Sequence, residues 1–204
     1  MQAGFKGNIH NPLAPLTAGE LIHKSSNLLV RKYPAVIITE RHQNGALMAR
    51  TTKIAWADAT WNPWIGCTHN SPACAHCYAE VMNRRYKWNG GAWGRGAPRH
   101  LMSEGYWKAP IRWEREASVG LRGKDGKHWI VFAGDLCDIF DPHGPSNERN
   151  RMWGLFRSTP HLTWLVLTKR PKKFSDYLPR DWGNGYANVW LGSRSKTASM
   201  ASRG

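Results

Sequence analysis

His128-Trp129-Ile130-Val131-Phe132-Ala133-Gly134-Asp135 decides how this chain is built. The apolar, β-prone run is too short for a helix and lacks the alternation of a half-solvated strand. It therefore reads as a strand buried on both faces, ended by Gly134 and Asp135. The pattern returns at Leu162-Thr163-Trp164-Leu165-Val166-Leu167, which hands over to Thr168-Lys169-Arg170-Pro171, and again at Asn188-Val189-Trp190-Leu191-Gly192. Upstream, 59–64 reads as a shorter strand. Helical stretches lie between. Residues 78–88 carry Ala79, Val81, Met82, Arg84, Arg85 and Tyr86. Residues 147–157 follow Ser146 as N-cap, with Glu148 in the first turn and Met152, Trp153, Leu155 and Phe156 inward. Residues 172–178 predict a short helix with Phe174 and Tyr177 inward. Residues 101–116 predict short helical or packed irregular structure around Tyr106, Trp107, Ile111 and Trp113, and 119–127 a turn. Strands alternating with helices predict an α/β fold of parallel βα units.

In such sheets and barrels, ligands sit at the C-terminal strand ends. That rule gathers three segments: the loop after the first strand, Gly134-Asp135 after the second, and Thr168-Lys169-Arg170 after the third. The first of these holds three of the four cysteines, as Cys67-Thr68-His69-Asn70-Ser71-Pro72-Ala73-Cys74-Ala75-His76-Cys77. Gly66, Asn70, Ser71 and Pro72 are turn formers, so 67–74 is a loop. Cys77 opens the following helix, whose unpaired N–H groups favour a thiolate. Three soft sulfur ligands converging from one loop point to zinc or to an iron–sulfur cluster. A zinc site wants a fourth ligand, for which His69, His76 and His100 are candidates. A cluster held by three cysteines leaves one iron open for a substrate or cofactor. A disulfide framework does not suit a chain of this length with so few cysteines and no secretory signal. Asp135 suits a turn cap as well as a ligand contact, and Lys169 and Arg170 suit solvated loop charges as well as a site.

The chain of 204 residues is long enough for one domain with a sizeable core, and no apolar run approaches membrane-spanning length. The lack of an export signal and low cysteine usage predict a reducing cytoplasm. A formal charge of +15 attracts polyanions, nucleic acid first. Twelve tryptophans are many, and several alternate with cations, as in Arg84-Arg85-Tyr86-Lys87-Trp88. Such a pattern stacks bases and holds phosphate, although tryptophan more often anchors a core. Nucleic acid is thus a candidate partner, and a membrane is not. Residues 1–47 show no sustained period and predict a poorly ordered extension, with Met48 as the native start and 48–192 as the α/β domain. Residues 193–204 lack an apolar period and predict a disordered tail that cuts the fold short after the start of the fourth strand.

Over residues 52–192 the chain resembles a phage-associated, three-cysteine, radical-SAM-like family. The matching pieces are Lys53-Ile54-Ala55-Trp56, Ala59-Thr60-Trp61-Asn62-Pro63, Gly66-Cys67-Thr68 and Ser71-Pro72-Ala73-Cys74 through Cys77-Tyr78-Ala79-Glu80. Asp135-Leu136-Cys137-Asp138-Ile139-Phe140, Leu167-Thr168-Lys169-Arg170-Pro171 and Asn188-Val189-Trp190-Leu191-Gly192 complete them. The family is more distantly similar to spore photoproduct lyase-like radical enzymes. The resemblance implies a partial (β/α) barrel of the radical-SAM type, with a four-iron–four-sulfur cluster on Cys67, Cys74 and Cys77. It also implies S-adenosylmethionine at the open iron, reductive formation of a radical on a substrate, and an electron donor such as flavodoxin or ferredoxin. His76 stands where such proteins often carry an aromatic against the adenine, and Asp135, Asp138 and Lys169 are expected to make cofactor or substrate contacts. The C-x6-C spacing departs from the usual C-x3-C, and the missing later barrel implies a truncated member that binds its cluster poorly. The other class of reading is a zinc-stabilised nucleic-acid-binding protein without catalysis.

Overall fold

The apolar runs become strands in the computed structural model, which describes residues 51–193 (Ala73 by its backbone alone). In chain order the elements are β1 (Ala59–Trp61), β2 (Trp64–Ile65), a 3-10 turn at Pro72–Cys74, α1 (Tyr78–Tyr86), β3 (His100–Leu101), α2 (Glu104–Trp107) and α3 (Ala109–Ser118). They continue with β4 (Trp129–Ala133), α4 (Ser146–Arg157), β5 (Leu162–Thr168), a 3-10 turn at Pro171–Lys173, α5 (Phe174–Tyr177) and β6 (Val189–Ser193). The fold is mixed α/β. Its main sheet has four strands in the order β1-β4-β5-β6, every neighbouring pair parallel. A separate antiparallel pair joins β2 to β3, with Trp64 opposite Leu101 and Ile65 opposite His100.

Several expected boundaries move, each for a local reason. The strand expected over 59–64 divides at Asn62-Pro63. Pro63 has no N–H for a ladder, and the Asn62 N–H donates to the Tyr106 hydroxyl at 2.8 Å instead. The helix expected over 78–88 ends at Tyr86, because Lys87 turns into the left-handed region (φ 53°) and its N–H caps Asn83 O at 2.7 Å. Trp88 lies beyond that end and stacks on Tyr86, centroids 5.2 Å apart. Ser146 is the first residue of α4 and not its cap. Pro145, extended at φ −63° and ψ 118°, holds the cap position, and no side chain caps the helix. The fourth strand includes Ser193, opposite Thr168, one residue past the point where the domain was expected to end. The extension expected at 1–47, Met48 as a start, and the rest of the tail lie outside the described residues.

Packing fills one face of the sheet: Leu162, Trp164, Val166 and Thr168 of β5 are buried, whereas Thr163, Leu165 and Leu167 between them are half-buried and Trp190 of β6 is exposed. These two strands are thus not covered on both faces as their apolar runs suggested. Met152, Trp153, Leu155 and Phe156 of α4 are buried, as their spacing requires. Phe156 stacks on Trp164 of β5 at 4.2 Å. Trp61 of β1 is fully buried among Tyr106, Trp107, Phe156 and Trp164. Most of the tryptophans with inward positions are thus core anchors, and burying each such ring contributes about 2–3 kcal/mol. Phe174 and Tyr177 of α5 are only partly buried against this cluster. No helix among the described residues is long and apolar enough to cross a membrane.

Candidate functional site

Parallel strands carry their following loops to one rim, and the expected segments meet there. Gly66 bridges to Cys137 across the rim, and its N–H donates to Leu136 O at 3.1 Å. Gly66 has φ +116°, and a Cβ there would stand 3.0 Å from the Arg99 side chain. Only glycine passes this point without strain.

The residue after Cys67 is held on three sides. Thr68 N–H donates to Asp141 Oδ2 at 2.9 Å, Arg99 donates to Thr68 Oγ1 at 2.8 Å, and Arg170 donates to the Thr68 carbonyl. These groups form a buried ionic tetrad. Arg99 pairs with Asp141 at 2.9 Å and Arg170 with Asp138 at 2.8 Å; the Arg170–Asp141 separation is 3.8 Å. Asp141 is fully buried. Asp138 also accepts from the Thr168 hydroxyl at 2.7 Å and from the Phe140 N–H. Behind the tetrad, Arg149 donates to the carbonyls of Ile139 and Asp141 at 2.7 and 2.6 Å and lies over the Tyr177 ring. Charges this deep persist only when compensated: the four of the tetrad are ion-paired, and Arg149 is held by backbone carbonyls.

The thiols stand in unequal surroundings. Cys67 Sγ is 3.6 Å from Arg170 Nη1. Burial pushes its pKa up to about 12, against the lowering pull of Arg170. Cys74 Sγ is 3.9 Å from Lys169 Nζ and 4.0 Å from the Ser71 hydroxyl. Burial raises its pKa, but the Asn70 and Ser71 N–H groups and Lys169 outweigh that, and the net shift is downward. Cys77 occupies the N-cap position of α1, as expected. All four cysteines are free thiols. Asn70 Nδ2 donates to Lys169 O at 2.8 Å, which ties the cysteine loop to the end of β5.

Asp135 lies elsewhere on the rim, beside β1. Asn62 Nδ2 donates to its carboxyl at 2.5 Å, and burial pushes its pKa up to about 6 against that hydrogen bond. The Tyr78 hydroxyl donates to the Asp135 carbonyl at 2.5 Å. His76 is exposed. The rim therefore brings Cys67, Cys74, Asp138 and Lys169 together, sets Asp135 beside Tyr78, and leaves His76 apart. Asp138 is occupied by protein partners, so its role here is to hold Arg170.

A protein-family model described as a protein of unknown function, DUF5131, matches residues 51–203. The chain belongs to the DUF5131 family. No curated protein and no solved structure matches it.

In this DUF5131 chain, sequence reasoning weighed Arg170 as either a solvated loop charge or a site residue, and it gave no role to Arg99, Asp141 or Cys137. Arg170 and Asp141 carried a signal, their position in loops after buried strands. Arg99 carried none, since only the fold brings it to Thr68. The donor set fits an anionic iron–sulfur group by its chemistry: three soft thiols on one loop, with a guanidinium beside one sulfur and an ammonium beside another. The expected convergence of the three thiols is not present: no three His, Cys, Asp or Glu side chains among the described residues form a ready metal cage. Two of the thiols are instead held by local partners: Cys67 by Thr68 O and Arg170, and Cys74 by Ser71 and Lys169. Joining all three to one group requires the loop to rearrange.

Proposed function

We propose that this DUF5131 chain is a radical-SAM-like iron–sulfur protein. Cys67, Cys74 and Cys77 would hold a four-iron–four-sulfur cluster at the C-terminal rim of a partial (β/α) barrel. When bound, that cluster supplies the electron for reductive cleavage of S-adenosylmethionine. The observation that carries this reading is the placement of three free thiols from one loop at the C-terminal end of a parallel sheet, where Arg170 and Lys169 stand beside two of the sulfurs. Cations so placed favour thiolates and offset the negative charge of a thiolate-bound cluster. The tetrad of Arg99, Asp141, Arg170 and Asp138 fixes Thr68 and with it the backbone at Cys67. Asp135 and Lys169 remain candidates for polar contacts to cofactor or substrate, with nucleic acid as the candidate substrate. His76, exposed on the turn before Cys77, is the candidate for covering the adenine once the loop turns.

The test is anaerobic. Chemically reduced protein given S-adenosylmethionine should release 5′-deoxyadenosine and methionine, and Cys74→Ala should abolish the release. Product formation unchanged in that variant would overturn the assignment.

One observation favours zinc as a second reading. Cys137 is buried on the same rim, and its thiol is raised well above the usual range by burial and then by nearby Cys67. It offers a fourth sulfur of the kind a structural zinc centre needs. Cys137→Ala distinguishes the two. It should spare the iron of a three-cysteine cluster and release the metal of a four-sulfur zinc site.

A further inference from the structure

A cavity of about 430 Å³ opens beside the cysteine loop, lined by residues that include Thr68, Asn70, Arg95, His143 and Arg170. Its size is that of an ordinary small-ligand pocket. Its chemistry is one-sided. No carboxylate lines it, because Asp138 and Asp141 lie behind the wall and are engaged by Arg170 and Arg99. Arg170 forms part of the wall and is itself nine-tenths buried. Arg95 and His143 are exposed, and neither side chain makes an ion pair among the described residues. Arg99, which braces two of the wall residues through Thr68 Oγ1 (2.8 Å) and Gly94 O (3.2 Å), keeps a buried Nε without a partner. The site thus offers donors in excess of acceptors, in a chain carrying +15 overall.

We propose that this cavity binds the phosphate group of a nucleotide or of a nucleic-acid strand, with Arg95 and His143 as its direct contacts and Arg170 as its fixed positive wall. A tetrahedral oxyanion presents several acceptors at once, which suits a guanidinium fork and an imidazole N–H lining the same cavity. The proposal stands beside the iron–sulfur reading and does not rest on it, since neither Arg95 nor His143 belongs to the cysteine loop.

Fluorescence titration of the full chain with thymidine, thymidine monophosphate and a short oligothymidylate tests it. Both phosphate-bearing probes should bind in a salt-sensitive manner and thymidine should not. A preference for the monophosphate assigns the site to free nucleotides, and a preference for the oligomer assigns it to nucleic acid. The double variant Arg95→Ala/His143→Ala should weaken binding about tenfold or more, as expected for lost charge-assisted hydrogen bonds. It should leave metal content unchanged. Lys127→Ala, an exposed cation on the segment before β4, should change binding less than about twofold, in line with an unpaired surface charge. Equal losses in the two variants would reduce the effect to diffuse charge attraction and overturn the proposal. So would thymidine binding as tightly as its phosphate, or no binding by either phosphate-bearing probe.

Discussion

Asp135 shows how one side chain takes its chemistry from its surroundings. It follows the buried strand β4 by two residues, and the fold leaves its carboxyl in a dry position with Asn62 as its hydrogen-bond donor. Loss of hydration outweighs that donor and lifts its pKa to about 6. Below about pH 4 the carboxyl is protonated in both folded and unfolded chains. Between about pH 4 and 6 the folded chain alone keeps the proton. This residue's stabilising contribution is therefore complete at low pH and declines as pH rises through about 6, by about 3 kcal/mol. Urea unfolding at pH 4.5 and 7 checks this: Asp135→Asn should lose less stability than the parent between the two. An identical pH dependence in both chains would contradict the burial argument. The sequence marked Asp135 as a residue to watch, through its place after a buried strand. Its partner Asn62 was not legible, because Asn62-Pro63 reads as strand until the fold sends its N–H to Tyr106.

Among the elements, what holds the rim is a set of ties between loops that are distant in sequence. Arg99 joins the segment before β3 to Thr68 and to Asp141 after β4, while Arg170 joins the end of β5 to Asp138 and to Thr68. Removing one partner of such a buried set leaves a charge without compensation, at a cost of about 3–5 kcal/mol. Arg99→Met, which keeps most of the volume, should lower stability by that order in denaturant titration. It should also speed alkylation of Cys67, since Thr68 loses its Arg99 anchor and the Asp141 that holds its N–H loses the nearer of its two cations. A change below about 0.5 kcal/mol, the size of an ordinary surface substitution, would show that the tetrad does not hold the loop. The four parallel strands and α4 were legible because buried apolar runs and helical spacing are local signals. Helix ends were less so. Lys87 stops α1 by adopting a conformation that lysine rarely takes, and Pro145 displaced Ser146 from the cap. Ion pairs between loops have no local pattern, so the tetrad became visible only when the strands were paired.

Over the whole molecule, one parallel sheet, one rim and one charge balance belong together. Burial at the core uses much of the tryptophan content. Exposed Tyr86, stacked on a half-buried Trp88 and covered by Arg85, remains at the surface as an aromatic and cationic patch of the kind the sequence suggested. The spacing of Cys67, Cys74 and Cys77 points to metal binding by itself. The fold adds the cations beside two of the sulfurs and a fourth cysteine on the same rim. It does not gather the thiols into a closed cage, so cluster binding requires the loop to close around the iron. Iron and acid-labile sulfide analysis of anaerobically prepared protein tests this most directly. About four irons and four sulfides per chain are expected, the content of one such cluster, with iron lost on Cys67→Ala. Well-folded protein that is free of iron under those conditions, or that carries one zinc per chain in its place, would contradict it.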